Sequence, residues 1–251
     1  MQHIYTGQEW LDKLMPDGLP IHTSTLISGP GGTGKPLIGD NFVAAWLRQG
    51  GSAVFMSLQY PNREFLSTSL QTVTGLDVAN YPDQVAYIEL DVTIDGMEAP
   101  DGNSFKANLV EPAIWDASIE QACSLVTEEG PGIMVFGSAL NLLLFSPTYE
   151  DAILEKMKAT IRDDKRRTYM FSVSTSAKKE KIAQLEELAD NLIMSRSEKN
   201  PFRLYLHIVR LKESPFIGDE VQVPIPPEAL EGIKDVADHS RKRVIPLISE
   251  I

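Results

Sequence analysis

The sequence predicts one open α/β sheet, mostly parallel, with helices packed on both faces and an antiparallel finish at one edge. Three observations carry this. Short apolar runs alternate with helix-period segments almost from end to end. A glycine-rich turn joins the first apolar run to the first helical segment. Beyond Asp190 the alternation gives way to three short runs with polar links, the pattern of hairpins.

The elements follow in order. Thr23–Ser28 is the first strand, and it ends in Gly29-Pro30-Gly31-Gly32. Leu37–Arg48 is a helix whose apolar face holds Leu37, Phe42, Val43, Trp46 and Leu47, and Gly50-Gly51 stops it. Ser52–Leu58 is a second strand, and Asn62–Thr74 is a helix with Asn62 as its cap. Gln84–Leu90 is a third strand. Asp91–Asn108, rich in Asp, Gly, Asn and Pro, reads as an irregular excursion. Pro112–Glu128 is helical, and Gly132–Phe136 is a near-continuous buried strand. Thr148–Arg166 is a long helix, opened by Thr148 with Asp151 three residues on, a capping-box variant. Thr168–Ser174 is another strand and Lys178–Ala189 another helix. Asn191–Ser197, Arg203–Leu211 and Glu220–Val223 are the late strands. Pro227–Val236 reads as a terminal helix, and Ser240–Ile251, basic at Arg241-Lys242-Arg243 and then apolar, as a docked or frayed tail.

Composition narrows the function classes. A chain of 251 residues fits a single large domain, residues 1–251, able to bury about 70–75% of its unfolded surface without a metal or disulfide staple. With 43% hydrophobic and 23% charged residues it is globular, not disordered. The net charge of −12 makes it a poor default partner for nucleic acid. One cysteine, Cys123, excludes a disulfide framework, and the four histidines show no metal-ligand spacing. No apolar run is long enough to span a membrane, and the N-terminus lacks a secretory pattern, so the expected compartment is the cytoplasm, with no membrane partner. The acidic group Asp91, Asp95, Glu98 and Asp101 lacks calcium-loop spacing and reads as a solvated loop. Lys165-Arg166-Arg167 and Lys178-Lys179-Glu180-Lys181 read as basic helix ends, Ser174-Thr175-Ser176 as a strand-to-helix turn. Cys123 and Trp10, Trp46 and Trp115 read as packing residues.

The informative motif is Gly29-Pro30-Gly31-Gly32-Thr33-Gly34-Lys35-Pro36, which fits G-x-x-x-x-G-K-[ST] at seven of eight positions, between a strand and a helix. Glycines let the backbone wrap a phosphate, amide N–H groups form an anion nest, and the helix N-terminus adds positive potential. Gly29, Gly31, Gly32, Thr33, Gly34 and Lys35 are therefore the candidate phosphate-binding residues, with Lys35 reaching the outer phosphates. The eighth position needs a hydroxyl for Mg²⁺, and Pro36 has neither a hydroxyl nor an N–H. Proline is tolerated in a first helical turn, so the helix survives.

Around this loop the chain resembles the KaiC-like branch of the RecA superfamily of P-loop ATPases. The resemblance rests on Thr6-Gly7-x-x-Trp10-Leu11-Asp12-Lys13-Leu14 with Gly18-Leu19-Pro20, on Leu26 to Lys35, on Val54 to Leu58, on Leu188-Ala189-Asp190-Asn191-Leu192-Ile193, and on Leu206 to Lys212. It implies a RecA-like fold. It also implies a Glu-Glu pair after the second strand, where this chain has Gln59-Tyr60, and a metal-holding Asp ending the fourth strand, where it has Gly137. Gln59 can orient a water but cannot take its proton. With Pro36, three sites of one metal-and-water centre lack the group that does the chemistry. In KaiC-like rings a late strand also offers two basic residues to the neighbouring subunit's nucleotide. Arg210 and Lys212 stand there, in swapped order, or else are solvated positions on an edge strand.

The resemblance and its departures together imply a catalytically inactive, KaiC-like regulatory or scaffold protein with weak residual binding of ATP or another nucleotide. No catalytic residue and no metal ligand is expected, and Mg²⁺ would be poorly held. A homo-oligomer and an unidentified protein partner are expected. The alternatives are a non-hydrolysing ATP-binding switch that signals through its oligomer, and a divergent active ATPase or kinase.

Overall fold

The computed structural model describes residues 2–58, 62–199, 202–225, 235, 238 and 241–251. The expected terminal helix Pro227–Val236 lies outside the described residues except for Asp235, and so do Gln59 and Tyr60.

Nine strands form one sheet: β3 (Ser24–Ser28), β4 (Ser52–Ser57), β5 (Val85–Leu90), β6 (Ser104–Ala107), β7 (Ile133–Gly137), β8 (Thr168–Ser172), β9 (Asn191–Lys199), β10 (Phe202–Arg210) and β11 (Val221–Gln222). A small antiparallel pair, β1 (His3–Ile4) and β2 (Leu19–Pro20), precedes them. The sheet order is β11-β10-β9-β3-β8-β7-β4-β5-β6. Every pairing from β9 to β6 is parallel, while β10 and β11 are antiparallel additions at one edge. All residues of β3, β4, β7 and β8 are buried, as strands covered by helices on both faces are, and β7 accordingly reads as a near-continuous apolar run. From β3 the chain leaves through a helix to β4 on one side, and from β8 it returns to β9 on the other. The carboxyl end of β3 therefore sits where the strand order turns, the place such sheets keep for ligands.

The helices are α1 (Glu9–Asp12), α2 (Lys35–Arg48), α3 (Arg63–Thr74), α4 (Pro112–Cys123), α5 (Glu150–Asp163) and α6 (Lys179–Leu188). Strand alternation splits the core into two layers. Phe55, Met134 and Phe136 face Ile38, Phe42 and Trp46 of α2 and Leu70 of α3. Val54, Met56 and Val135 face Trp115 of α4, Met157 of α5 and Leu185 of α6 on the other side. Residues 241–249 form a further helix, and its Ile248 is fully buried in that second layer, so the tail is docked.

Three local expectations are corrected. The segment Asp91–Asn108 contains a strand, β6, held by parallel pairing to β5 from Tyr87–Ser104 to Leu90–Ala107. Helix α4 stops at Cys123 instead of reaching Glu128, and Thr127 N–H instead donates to the Asp83 carbonyl. Helix α5 starts at Glu150 without a side-chain cap; the hydroxyl of buried Ser146 accepts the Tyr149 N–H, and Thr148 and Asp151 form no box. The Asn62 cap is present, its Oδ1 accepting the Phe65 N–H at 2.9 Å. Cys123 is buried, and burial pushes its thiol up to about 11, so it stays an unreactive packing group. Trp46 and Trp115 are fully buried, and Trp10 packs half-buried against the first layer.

Candidate functional site

The loop between β3 and α2 wraps as the glycine spacing predicts. Gly29 has φ +147°, and a Cβ there would lie 2.2 Å from the Ser195 carbonyl oxygen of β9. Gly34 has φ +56°, and its Cβ would lie 2.3 Å from a Leu204 methyl of β10. A side chain at either place would push the loop off the sheet. The Gly34 carbonyl accepts the N–H groups of Leu37 and Ile38, and so starts the helix. Helix α2 thus begins at Lys35, two residues before the predicted start, with Pro36 in its first turn, where a missing N–H leaves no internal bond unmade. Thr33 Oγ1 donates to the Pro30 carbonyl at 2.9 Å and lies 2.8 Å from Ser195 Oγ.

Lys35 is turned into this loop and is 6% exposed. Its Nζ donates to the carbonyls of Gly29 (3.0 Å) and Pro30 (2.5 Å) and to Thr33 Oγ1 (3.0 Å). These partners are neutral. Burial, and then the positive charge of Arg241, lower its pKa to about 7. Among the described residues the N–H groups of Gly32, Thr33 and Gly34 find no acceptor in the chain. A buried cation beside free amides is a seat for an anion.

The turn after β8 forms the next wall. Thr175 N–H donates to the Gly29 carbonyl at 3.0 Å, and Gly31 N–H donates to Ser176 Oγ at 2.9 Å. Ser174-Thr175-Ser176, a strand-to-helix turn at a place where sensor residues of such a fold can sit, is laid against the glycine loop. Arg241, from the C-terminal helix, is a residue the sequence does not point to as part of the site. Its basic neighbourhood was visible, but its placement depends on a contact more than 200 positions away in the chain.

The wall after β7 lacks the acid. Gly137 ends that strand, and a Cβ there would lie 2.9 Å from Phe171 and 3.0 Å from Leu140 side-chain carbons. Apolar atoms fill the place a metal-holding carboxylate would need. Among the described residues no cluster of His, Cys, Asp or Glu could hold a metal ion. Pro36 and Gly137 offer Mg²⁺ no side-chain oxygen, whereas the loop amides and Lys35 have the donors an anionic phosphate group would need.

Arg210 and Lys212 lie elsewhere. Arg210 donates to the carbonyls of Glu186 (2.5 Å) and Ala189 (2.7 Å), closing the C-terminal end of α6. Lys212 Nζ donates to Asp190 Oδ1 at 2.9 Å, and its N–H donates to Asn191 Oδ1. Asn191 pairs with Thr25, three residues before Ser28. The pair therefore stands about 10 Å along the strands from the phosphate loop, toward the opposite end of the sheet. Within one chain the structure does not bring them to the loop.

The remaining basic runs are also engaged. Lys165 pairs with Asp190, and Arg166 and Arg167 share Glu120 and Asp164 along a cleft of about 440 Å³ at that far end. Lys178 and Lys181 pair with Glu150. Asp91 pairs with Lys106, and both are on the surface.

One buried acid stands apart. Asp40, in the second turn of α2, is 1% exposed; Ser69 of α3 donates to its Oδ2 at 3.2 Å, and its Oδ1 has no partner among the described residues. Burial pushes its carboxyl up to about 7, against the smaller opposing effect of the Ser69 bond.

The family model for the KaiC ATPase matches residues 4–231. The chain is similar to a solved KaiC-like protein from the hyperthermophilic archaeon Pyrococcus horikoshii OT3, at 16% identity and a TM-score of 0.66, covering 90% of this chain and 96% of that one. At that identity the likeness concerns the fold. No curated protein matches the sequence.

Proposed function

The chain belongs to the KaiC family of ATPases, and on that premise we propose that it holds a nucleoside polyphosphate at the loop from Gly29 to Lys35 without hydrolysing it, and acts as a regulatory or scaffold protein. Gly137 carries this reading. Hydrolysis in this family draws on a metal ion and an oriented water. A carboxylate at the end of β7 would collide with Phe171 and Leu140, and Pro36 offers no hydroxyl to compensate. What supports phosphate binding is the loop itself: glycines in left-handed conformations, amides with no acceptor among the described residues, and a buried lysine. Lys35 would contact the outer phosphates, the loop amides the inner ones. Binding is weak, because no Mg²⁺ adds its charge to the phosphates and because Lys35 must first release its carbonyl partners.

The same reading includes a homo-oligomer. Family membership supports it, as do the exposed apolar residues Val209, Phe216 and Ile217 on or beside the edge strands. Because Arg210 and Lys212 are spent inside the chain, a contact from them to a neighbour's ligand requires their release from α6 and Asp190.

The test is the melting temperature with ATP, with and without Mg²⁺. A ligand at 100 times its Kd adds about 2.7 kcal/mol to stability. ATP should raise the melting temperature equally with and without Mg²⁺, and Lys35→Ala should remove the rise. A rise that requires Mg²⁺ would contradict the reading.

A further inference from the structure

We propose that Arg241, carried on the C-terminal helix of residues 241–249, is a phosphate-contacting residue of this site, supplied by the same chain, and that anion binding therefore adds to the docking of this helix. The inference rests on the reading that the loop binds a polyphosphate.

The geometry converges on Gly31. A Cβ at Gly31 would lie 3.6 Å from Arg241 Nη1, 3.4 Å from Ser176 Oγ and 3.5 Å from Ser174 Oγ. Gly31 is exposed, so a guanidinium edge and two hydroxyls border one open point above the loop. Arg241 Nη2 donates to Asp238 Oδ1 at 2.5 Å, which tethers that edge of the guanidinium. Among the described residues Nη1 has no acceptor, and it is the nitrogen turned to the loop.

Charge points the same way. In a protein of net charge −12, two cations, Lys35 and Arg241, stand close enough to repel each other at one loop. No carboxylate among the described residues pairs with Lys35. An anion between them turns that repulsion into two attractions, and a planar guanidinium suits phosphate oxygens. The helix is anchored independently by Ile248, fully buried, with Val244 and Ile245 packed against the second core layer. The recognised chemistry is a polyphosphate chain, which a nucleotide or inorganic polyphosphate could supply.

The experiment is calorimetric titration of the full chain with ATP and with inorganic tripolyphosphate, for the unmutated protein, Arg241→Gln, Arg241→Lys and Arg243→Gln. Arg243 is exposed on the same helix and serves as the control. Arg241→Gln should weaken both ligands about tenfold or more, Arg241→Lys less, and Arg243→Gln not at all. Tighter binding of ATP than of tripolyphosphate assigns the ligand as a nucleotide; equal binding assigns the phosphate chain itself. A second measurement separates contact from mere undocking: ATP should slow amide exchange across residues 241–249 in the unmutated protein and not in Arg241→Gln. Equal affinity of Arg241→Gln and the unmutated chain overturns the role of Arg241 and leaves the phosphate loop standing. Exchange at 241–249 that ignores ATP overturns the coupling. An unmutated chain that binds neither ligand removes the reading beneath both.

Discussion

Replacing Asp40 by Asn should make the protein more stable in mild base than in mild acid, relative to the unmutated chain. The folded carboxyl keeps its proton to about pH 7, while an unfolded one loses it near 3.8. Between those values the folded state holds the extra proton, so the stability of the unmutated protein falls as pH rises through that window, and stays low above it. The full loss is about 4 kcal/mol, and about 3 of it falls between pH 5 and pH 8. Asn is neutral throughout. Its amide must find an acceptor beside Ser69, which costs about 1–3 kcal/mol at every pH. The pH dependence of the difference is therefore the clean signal. Lys35 does not disturb it, being common to both proteins. Urea unfolding at pH 5 and pH 8 reads it: the variant should gain about 3 kcal/mol on its parent between the two. Parallel stability curves would mean that Asp40 is ionised in the folded protein, and the burial argument would fall.

Other expectations can be checked in the same preparations. Because Lys35 is held near pH 7, anion binding at pH 8 should take up a proton; affinity for tripolyphosphate should fall about tenfold per unit above pH 7, and a flat profile would show Lys35 already charged. Removing the Arg210 side chain (Arg210→Ala) should cost about 1–3 kcal/mol by thermal unfolding, since the last carbonyls of α6 lose their donor. If Arg210→Glu with Lys212→Glu instead lowers the light-scattering mass with melting unchanged, the pair serves a neighbour. Gly29→Ala should abolish ATP binding and destabilise the chain, because its Cβ would overlap the Ser195 carbonyl, and unchanged binding would mean the loop can move aside.

Much of the fold was legible in the sequence, for local reasons. The run Ser24–Ser28 is buried on both faces, and the glycines after it sit at positions that demand left-handed or crowded backbone, so strand, loop and helix could be placed together. Asn62 was legible as a cap because capping is a three-residue affair. What escaped was non-local. Strand β6 is four residues at a sheet edge in a stretch of turn-forming residues, and only pairing with β5 makes it a strand. The alternation of Arg210 and Lys212 was visible, but nothing local distinguishes a solvated pair from one that closes α6 and meets Asp190. The basic triplet at Arg241 was equally visible. The buried Ile248, seven residues later, decides where it goes.

The most direct test of the central claim is steady-state phosphate release from ATP with saturating Mg²⁺, run beside Lys35→Ala. The account expects both proteins to release phosphate at the same background rate while only the unmutated chain binds ATP. Mg²⁺-dependent turnover by the unmutated protein, abolished in Lys35→Ala, would contradict it, and would mean that residues other than Pro36 and Gly137 assemble the metal and water.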